Sequence, residues 1–365
     1  MRIPAPRGPV SASLLDLLTS PETPSGDALA DLAKAARGAC RGTADILRDD
    51  DLQLTLFCLY ELHYSGLDTV PDTLEWHPGL VGLRLDLEKA FEAALRSAVP
   101  VPALPDPTSE AVAAELFRMA ADDDGPSVSR FVAAKATHEQ LQEFLILRSV
   151  YQLKEADPHS WAIPRLPVGR AKAALIEIQA DEYGGGRPER MHSHLFAVTM
   201  QGLDLETEYG WYLDAIPALT LASSNAMSLF GLNRRLRGAI AGHLAAFEMT
   251  SSLPNSFYAR GFRRLGFDDT VTYYFDEHVE ADAVHEQIAA RDLAGGLVEA
   301  EPALLADVMF GAATVLALDA LMGEDQLMAW KEGRSALRVQ PAGAAAAALD
   351  RVALDRVALA SGVTP

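Results

Sequence analysis

The chain has 365 residues, enough for one large domain with an appendage or for two medium ones, and its 49% hydrophobic and 22% charged residues exclude wholesale disorder. With 31 basic against 51 acidic side chains the net charge is -20, and no Lys/Arg-rich run offsets it locally, so nucleic acid and anionic membrane surfaces are poor partners. Two cysteines, Cys40 and Cys58, are too few for a disulfide framework or a thiolate-rich metal site.

Pro4, Pro6 and Pro9 interrupt the amino terminus, and the short apolar stretch behind them contains Asp16, so no secretion signal is read there and a cytoplasmic location is expected. Helical periodicity then dominates. Asp27 to Ala36, Leu80 to Ser97 and Ala111 to Ala121 place apolar residues at three- and four-residue intervals, and alternating strand patterns are scarce, which predicts an all-α fold. Glu61 and His63 are two apart and face different directions on a helix, so they read as structural. The proline-rich stretch Pro100 to Pro107 forbids a continuous helix and marks a boundary between an N-terminal helical subdomain, 1–108, and a second unit, 109–335. Pro158 to Pro167 is a second break. Val168 to Gln179, filled with Ala and Lys, reads as helix.

Three glycines, 184 to 186, then end that helix. Pro188 suits the first turn of the next one and would place Glu189 and His192 three residues apart on a common face, a Glu-x-x-His step. Glu182 precedes this pair. Glu248 follows in Ala245-Ala246-Phe247-Glu248-Met249, where a buried carboxylate would need a partner and a cation is the natural one. In the helix around 273–285, His278, Asp282 and His285 lie at about 0°, 40° and -20° on a helical wheel, so two imidazoles and a carboxylate share one narrow face. Each acid alone reads equally well as a solvated or helix-end residue. Their joint order, with an Asp-x-x-His echoing the Glu-x-x-His, is a ligand set suited to two ferrous ions, in which carboxylates bridge and neutralise while imidazoles fill terminal positions. Glu182 and Glu189 are too close in sequence for the separate helices of a ferritin-like bundle. His77, His138, His159, His194 and His243 read as turn, helix-end, solvent or packing residues. The longest apolar run, Val308 to Leu318, is bracketed by Asp307 and Asp319 and is about half the ~20 residues a bilayer crossing needs. After Arg334 the chain turns Ala-rich, and 336–365 reads as a tail without chemistry.

The stretch Glu182 to His192, then Glu248, then His278, Asp282 and His285, resembles the ligand pattern of haem-oxygenase-like di-iron oxidases and oxygenases, and 178–192 resembles the group called iron-containing redox enzymes. The resemblance covers roughly 110–335. It implies a haem-oxygenase-like seven-helix bundle with an N-terminal helical extension, holding two Fe2+ per chain through Glu182, His192, Glu248, His278, Asp282 and His285, with Glu189 as an extra carboxylate present in some members. It further implies an iron-dependent oxidase or oxygenase using O2 on a small organic substrate such as an amino acid, amine or fatty acid derivative. An electron donor and a homodimer stay open. A non-catalytic iron-binding protein, or a cofactorless or haem-binding member of the same fold, is the alternative.

Overall fold

The structure, a computed structural model, describes residues 1–341 apart from the side chains of Glu280, Asp282 and Ala283. Asp282 and, from residue 342 onward, the expected Ala-rich tail therefore lie outside the description. Among the described residues every regular element is helical. The first four helices are α1 (Pro9–Thr19), α2 (Gly26–Gly42), α3 (Asp50–Glu61) and α4 (Pro78–Ala98). After the irregular Pro100–Pro107 connection come α5 (Ser109–Ala121), α6 (Val128–Ala134), α7 (His138–Gln152), the short α8 (Asp157–Ser160) and α9 (Arg170–Glu182). Then follow α10 (His192–Gln201), α11 (Ala218–Leu232), α12 (Arg237–Met249), α13 (Ser252–Arg264), α14 (Asp269–Gln287), α15 (Gly296–Ala300) and α16 (Leu305–Lys331).

Local chemistry sets these boundaries. The Thr108 and Ser25 side chains accept from the backbone amides of Ala111 and Ala28, and Thr137 forms a capping box with Gln140. Asp268 caps α14 by accepting from the amides of Thr270 and Val271, which anchors the helix that carries His278 and His285. The chain leaves α14 through a π-helical stretch, Ile288–Gly295, that packs against α5, α9 and α12.

The centre of the molecule is the crossing of α12 and α16. A Cβ on Gly242 would lie 1.9 Å from the carbonyl oxygen of Val308, and one on Gly311 would lie 1.9 Å from that of Ala239. Only glycine permits this approach, and it fixes the depth of α12 and hence of Glu248. The Val308–Leu318 run proves to be part of a longer helix, because Asp307 and Asp319 do not break it. Over 302–331 its length and hydropathy would suffice to cross a membrane, yet 61% of its most apolar window is buried inside the protein, as in a core helix.

Residues 1–108 pack closely on the rest. α3 lies on α11, where the Asn225 side-chain amide donates to the Gln53 backbone carbonyl at 3.0 Å and to its Oε1 at 2.8 Å. Glu61, at the end of α3, is fully buried and pairs with Lys154, while the Tyr209 hydroxyl donates to the same carboxylate at 2.8 Å. His63 sits against Arg84 and 3.4 Å from Glu75.

Candidate metal centre

Four helices and one turn bring the site together. α9 delivers Glu182 at its last residue, and the backbone then reverses through Gly184, Gly185 and Gly186, whose φ values of 67°, 60° and 78° are left-handed. A Cβ on Gly184 would lie 2.6 Å from the backbone of Arg190 and Met191, so the loop closes tightly enough for α10 to open on His192 beside Glu182. Glu248 comes from the last turn of α12, and His278 and His285 from one face of α14.

The sixth contributor, Glu155, is absent from the ligand set read in the sequence. It lies in the turn between α7 and α8, directly before Ala156, which holds a left-handed φ of 82° that non-glycine residues rarely adopt. Gln179 of α9 donates from Nε2 to the Ala156 carbonyl at 2.9 Å and pins that turn. The signals present in sequence were indirect: Lys154-Glu155-Ala156-Asp157 is a polar run that folds into the interior.

The ligand-type atoms form two buried groups. One oxygen or nitrogen each from Glu155, Glu182, His192 and His278 lie within 4.8 Å of one another, and so do those from Glu182, Glu248 and His285. Glu182 belongs to both. The structure thus brings together Glu182, His192, Glu248, His278 and His285 from widely separated positions. It does not bring in Glu189. A 3-10 turn over Pro188–Arg190 precedes α10, and Met191 with ψ 134° breaks the helical register, so Glu189 is exposed and shares no face with His192. The Glu-x-x-His step expected from Pro188 is therefore not formed. His194 is exposed, as its spacing from His192 implies. His159 and His243, read as helix-end and packing residues, are buried side by side at 3.1 Å outside both groups, and burial drives both below the ordinary histidine range.

Partners outside the cluster orient its donors. His278 Nδ1 is 2.7 Å from the carbonyl of Tyr274, which assigns the proton to Nδ1 and leaves Nε2 facing Glu155 at 3.8 Å. His285 Nε2 donates to Asp181 at 3.0 Å, leaving Nδ1 facing Glu248 at 3.4 Å. The Tyr274 hydroxyl reaches both oxygens of Glu155, at 3.2 and 2.9 Å.

The electrostatics are those of a crowded anionic cavity. Burial works against ionisation of Glu182, but the charges of His192, His278 and His285 outweigh it and bring its pKa down to about 2. Burial, together with the charge of Glu182, holds Glu248 above the ordinary carboxylate range against the pull of His285. Burial would lower His285, yet its contacts with Glu248, Asp181 and Glu182 raise it to about 9. The Nδ1 atoms of His192 and His285 are buried without a hydrogen bond, although His192 Nδ1 lies 2.9 Å from a Glu182 oxygen. Orphaned imidazole nitrogens facing carboxylate oxygens are the donor set that a divalent cation completes.

Comparisons with known proteins agree with this chemistry. The family model described as iron-containing redox enzyme matches residues 142–320. Nitrosourea synthase of Streptomyces achromogenes subsp. streptozoticus is 31% identical over 135 residues, which are 36% of this chain and 28% of that protein.

Proposed function

We propose that this chain, which belongs through residues 142–320 to the iron-containing redox enzymes and has their haem-oxygenase-like helical fold, binds two ferrous ions and activates dioxygen toward a small organic substrate. The observation that carries this reading is that two buried groups of donors share Glu182. Glu155, His192 and His278 would hold one ion, Glu248 and His285 the other, and Glu182 both. Asp282 is kept in the ligand set on its sequence position, four residues after His278. Glu189 is left out because it is exposed.

Bound there, two ferrous ions would supply electrons for dioxygen reduction and positive charge against which oxygen anions are stabilised. The protein's own groups do the rest. The Tyr274 hydroxyl and Asp181 hold Glu155 and His285 in place, so the donors need little reorganisation. Burial of the three described carboxylates keeps bulk water from the centre. Glu155, Tyr274 and His278 also line a cavity of about 610 Å³, large enough for a small organic molecule to lie against the centre.

Anaerobic ferrous titration with metal counting tests the reading. Two irons per chain are expected, falling to one or none in His285→Ala and Glu248→Ala. Oxygen consumption should then depend on both iron and an organic substrate. Absence of specific uptake, or uptake indifferent to both substitutions, contradicts it.

A further inference from the structure

Inside the wall of the cavity lies a chain of three groups that can each both donate and accept a hydrogen bond. The Tyr151 hydroxyl on α7 is 3.4 Å from His159 Nδ1 on α8, and His159 Nε2 is 3.1 Å from His243 Nδ1 on α12. Both imidazoles are buried, and among the described residues neither is hydrogen-bonded to a carbonyl or a carboxylate, whereas His278 is held by the Tyr274 carbonyl and His285 by Asp181. Nothing therefore fixes which nitrogen of either ring carries the proton. Burial keeps both rings uncharged, with His159 lowered to about 4 and His243 lowered as well. Burial and the charges of Glu155, Glu182 and Glu248 keep the Tyr151 phenol protonated. Phe230 and Phe247 pack against the His243 ring and shield the middle of the chain. The two ends meet different spaces. His243 lines the 610 Å³ cavity, whose rim includes exposed Asp123, Asp124 and Leu253. Tyr151 and His159 line a second space of about 10 Å³, the size of one water, together with Glu155, Glu182 and Glu248. Among the described residues, Glu182 and Glu248 border only this smaller space.

We propose that His243, His159 and Tyr151 form a proton relay that joins the large cavity to the inner side of the metal centre, where Glu182 and Glu248 lie. A proton taken up at His243 Nε2 releases the one on its Nδ1 to His159 Nε2. His159 passes its Nδ1 proton to the Tyr151 oxygen, and the Tyr151 hydroxyl gives up its own proton to the small space beside the carboxylates. Each N–H or O–H bond formed is matched by one broken, so the net change is one proton moved and no ring keeps a charge. The chain then points the other way, and a proton passing outward resets it. The relay thus serves the centre as an acid in one half of a cycle and as a base in the other. A molecule filling the large cavity displaces water from its side of Glu155 and His278, but the relay runs within the wall and stays intact.

This inference rests on the proposed function for what the proton serves, and its first test does not need iron. Nitrogen NMR of the metal-free full chain with isotope-labelled histidine, the two rings assigned through His159→Gln and His243→Phe, reads the tautomers directly. A coupling across the hydrogen bond between His159 Nε2 and His243 Nδ1 is expected, with the nitrogen shifts of both rings averaged between the two neutral forms. His278, held by the Tyr274 carbonyl, should stay in its Nδ1-protonated form as the control. Tyr151→Phe should collapse the averaged shifts to one tautomer, because a bare His159 Nδ1 facing the new ring costs less than an unpaired N–H there. In the iron-loaded protein, Tyr151→Phe and His243→Phe should each slow single-turnover oxygen consumption about tenfold or more while two irons stay bound. A single fixed tautomer in the parent chain, or oxygen consumption indifferent to either substitution with both irons bound, overturns the inference. Loss of iron in both variants marks a packing role and overturns it as well. Failure of the parent chain to bind iron removes the proposed function alone, since the tautomers of the metal-free protein still decide whether the relay exists.

Discussion

Asp181 shows how a single exposed residue can govern a buried centre. Its carboxylate accepts from His285 Nε2 and thereby turns Nδ1 inward. Asp181→Asn is expected to weaken ferrous binding by about 10- to 100-fold, measured by competition with a chelator, without unfolding the chain. The protonation states give a second expectation. Glu182 lies at about 2 against an ordinary 4.5, so its stabilisation is complete above pH 4.5 and is lost as pH falls through 2. His285 lies at about 9 against an ordinary 6.5, so its contribution is complete below pH 6.5 and is lost as pH rises through 9. The melting temperature of the metal-free protein should therefore fall between pH 6.5 and 9, while stabilisation by ferrous iron should grow over the same range because the ion competes with that proton. A flat profile, or one unchanged by His285→Ala, contradicts the assignment. At this scale the sequence was most legible where donors share a regular helix: His278 and His285 declare themselves by spacing. It was least legible at Glu155, which a left-handed turn aims inward, and at Glu189, where a 3-10 turn replaces the helix that Pro188 suggested.

Among the elements, the position of α12 matters most for the centre, because α12 carries Glu248 and is seated against α16 through bare glycine backbone. Gly242→Ala would force a methyl group onto the Val308 carbonyl, so the helices must separate. A loss of roughly 1–3 kcal/mol in urea denaturation is expected, accompanied by weaker binding of one iron as Glu248 is displaced. The same substitution at Gly38, where a Cβ meets nothing within 4 Å, should leave iron binding unchanged. Helix identity was readable from periodicity, since the expected helices at 27–36, 80–97, 111–121 and 168–179 all lie within or nearly within observed ones. The length of α16 was not, because two aspartates bracketing its apolar run resemble ends when only composition is considered. One of them, Asp319, faces a cavity, and a sequence does not show cavities.

Across the whole molecule, residues 1–108 are more than an appended segment, because Glu61 neutralises Lys154, the neighbour of Glu155. Lys154 is enclosed by Phe57, Tyr64 and Tyr209, with its ammonium 4.2 Å from the Tyr64 ring centre. Lys154→Met should cost about 3–5 kcal/mol in denaturant unfolding, because it strands a buried carboxylate, whereas the Glu61→Gln/Lys154→Met double substitution should recover most of that loss. Additive losses would mean that the two groups do not act as a pair. The proline-rich connection was legible as a break in the chain, but the buried contacts across it depend on residues far apart in sequence, such as Gln53 and Asn225. The central claim is that a two-metal cavity is assembled around Glu182. Anomalous diffraction at the iron edge from crystals equilibrated anaerobically with ferrous ion measures it directly. Two peaks roughly 4 Å apart, one on either side of the Glu182 carboxylate, are predicted. A single peak, or iron bound away from Glu182, would contradict the account.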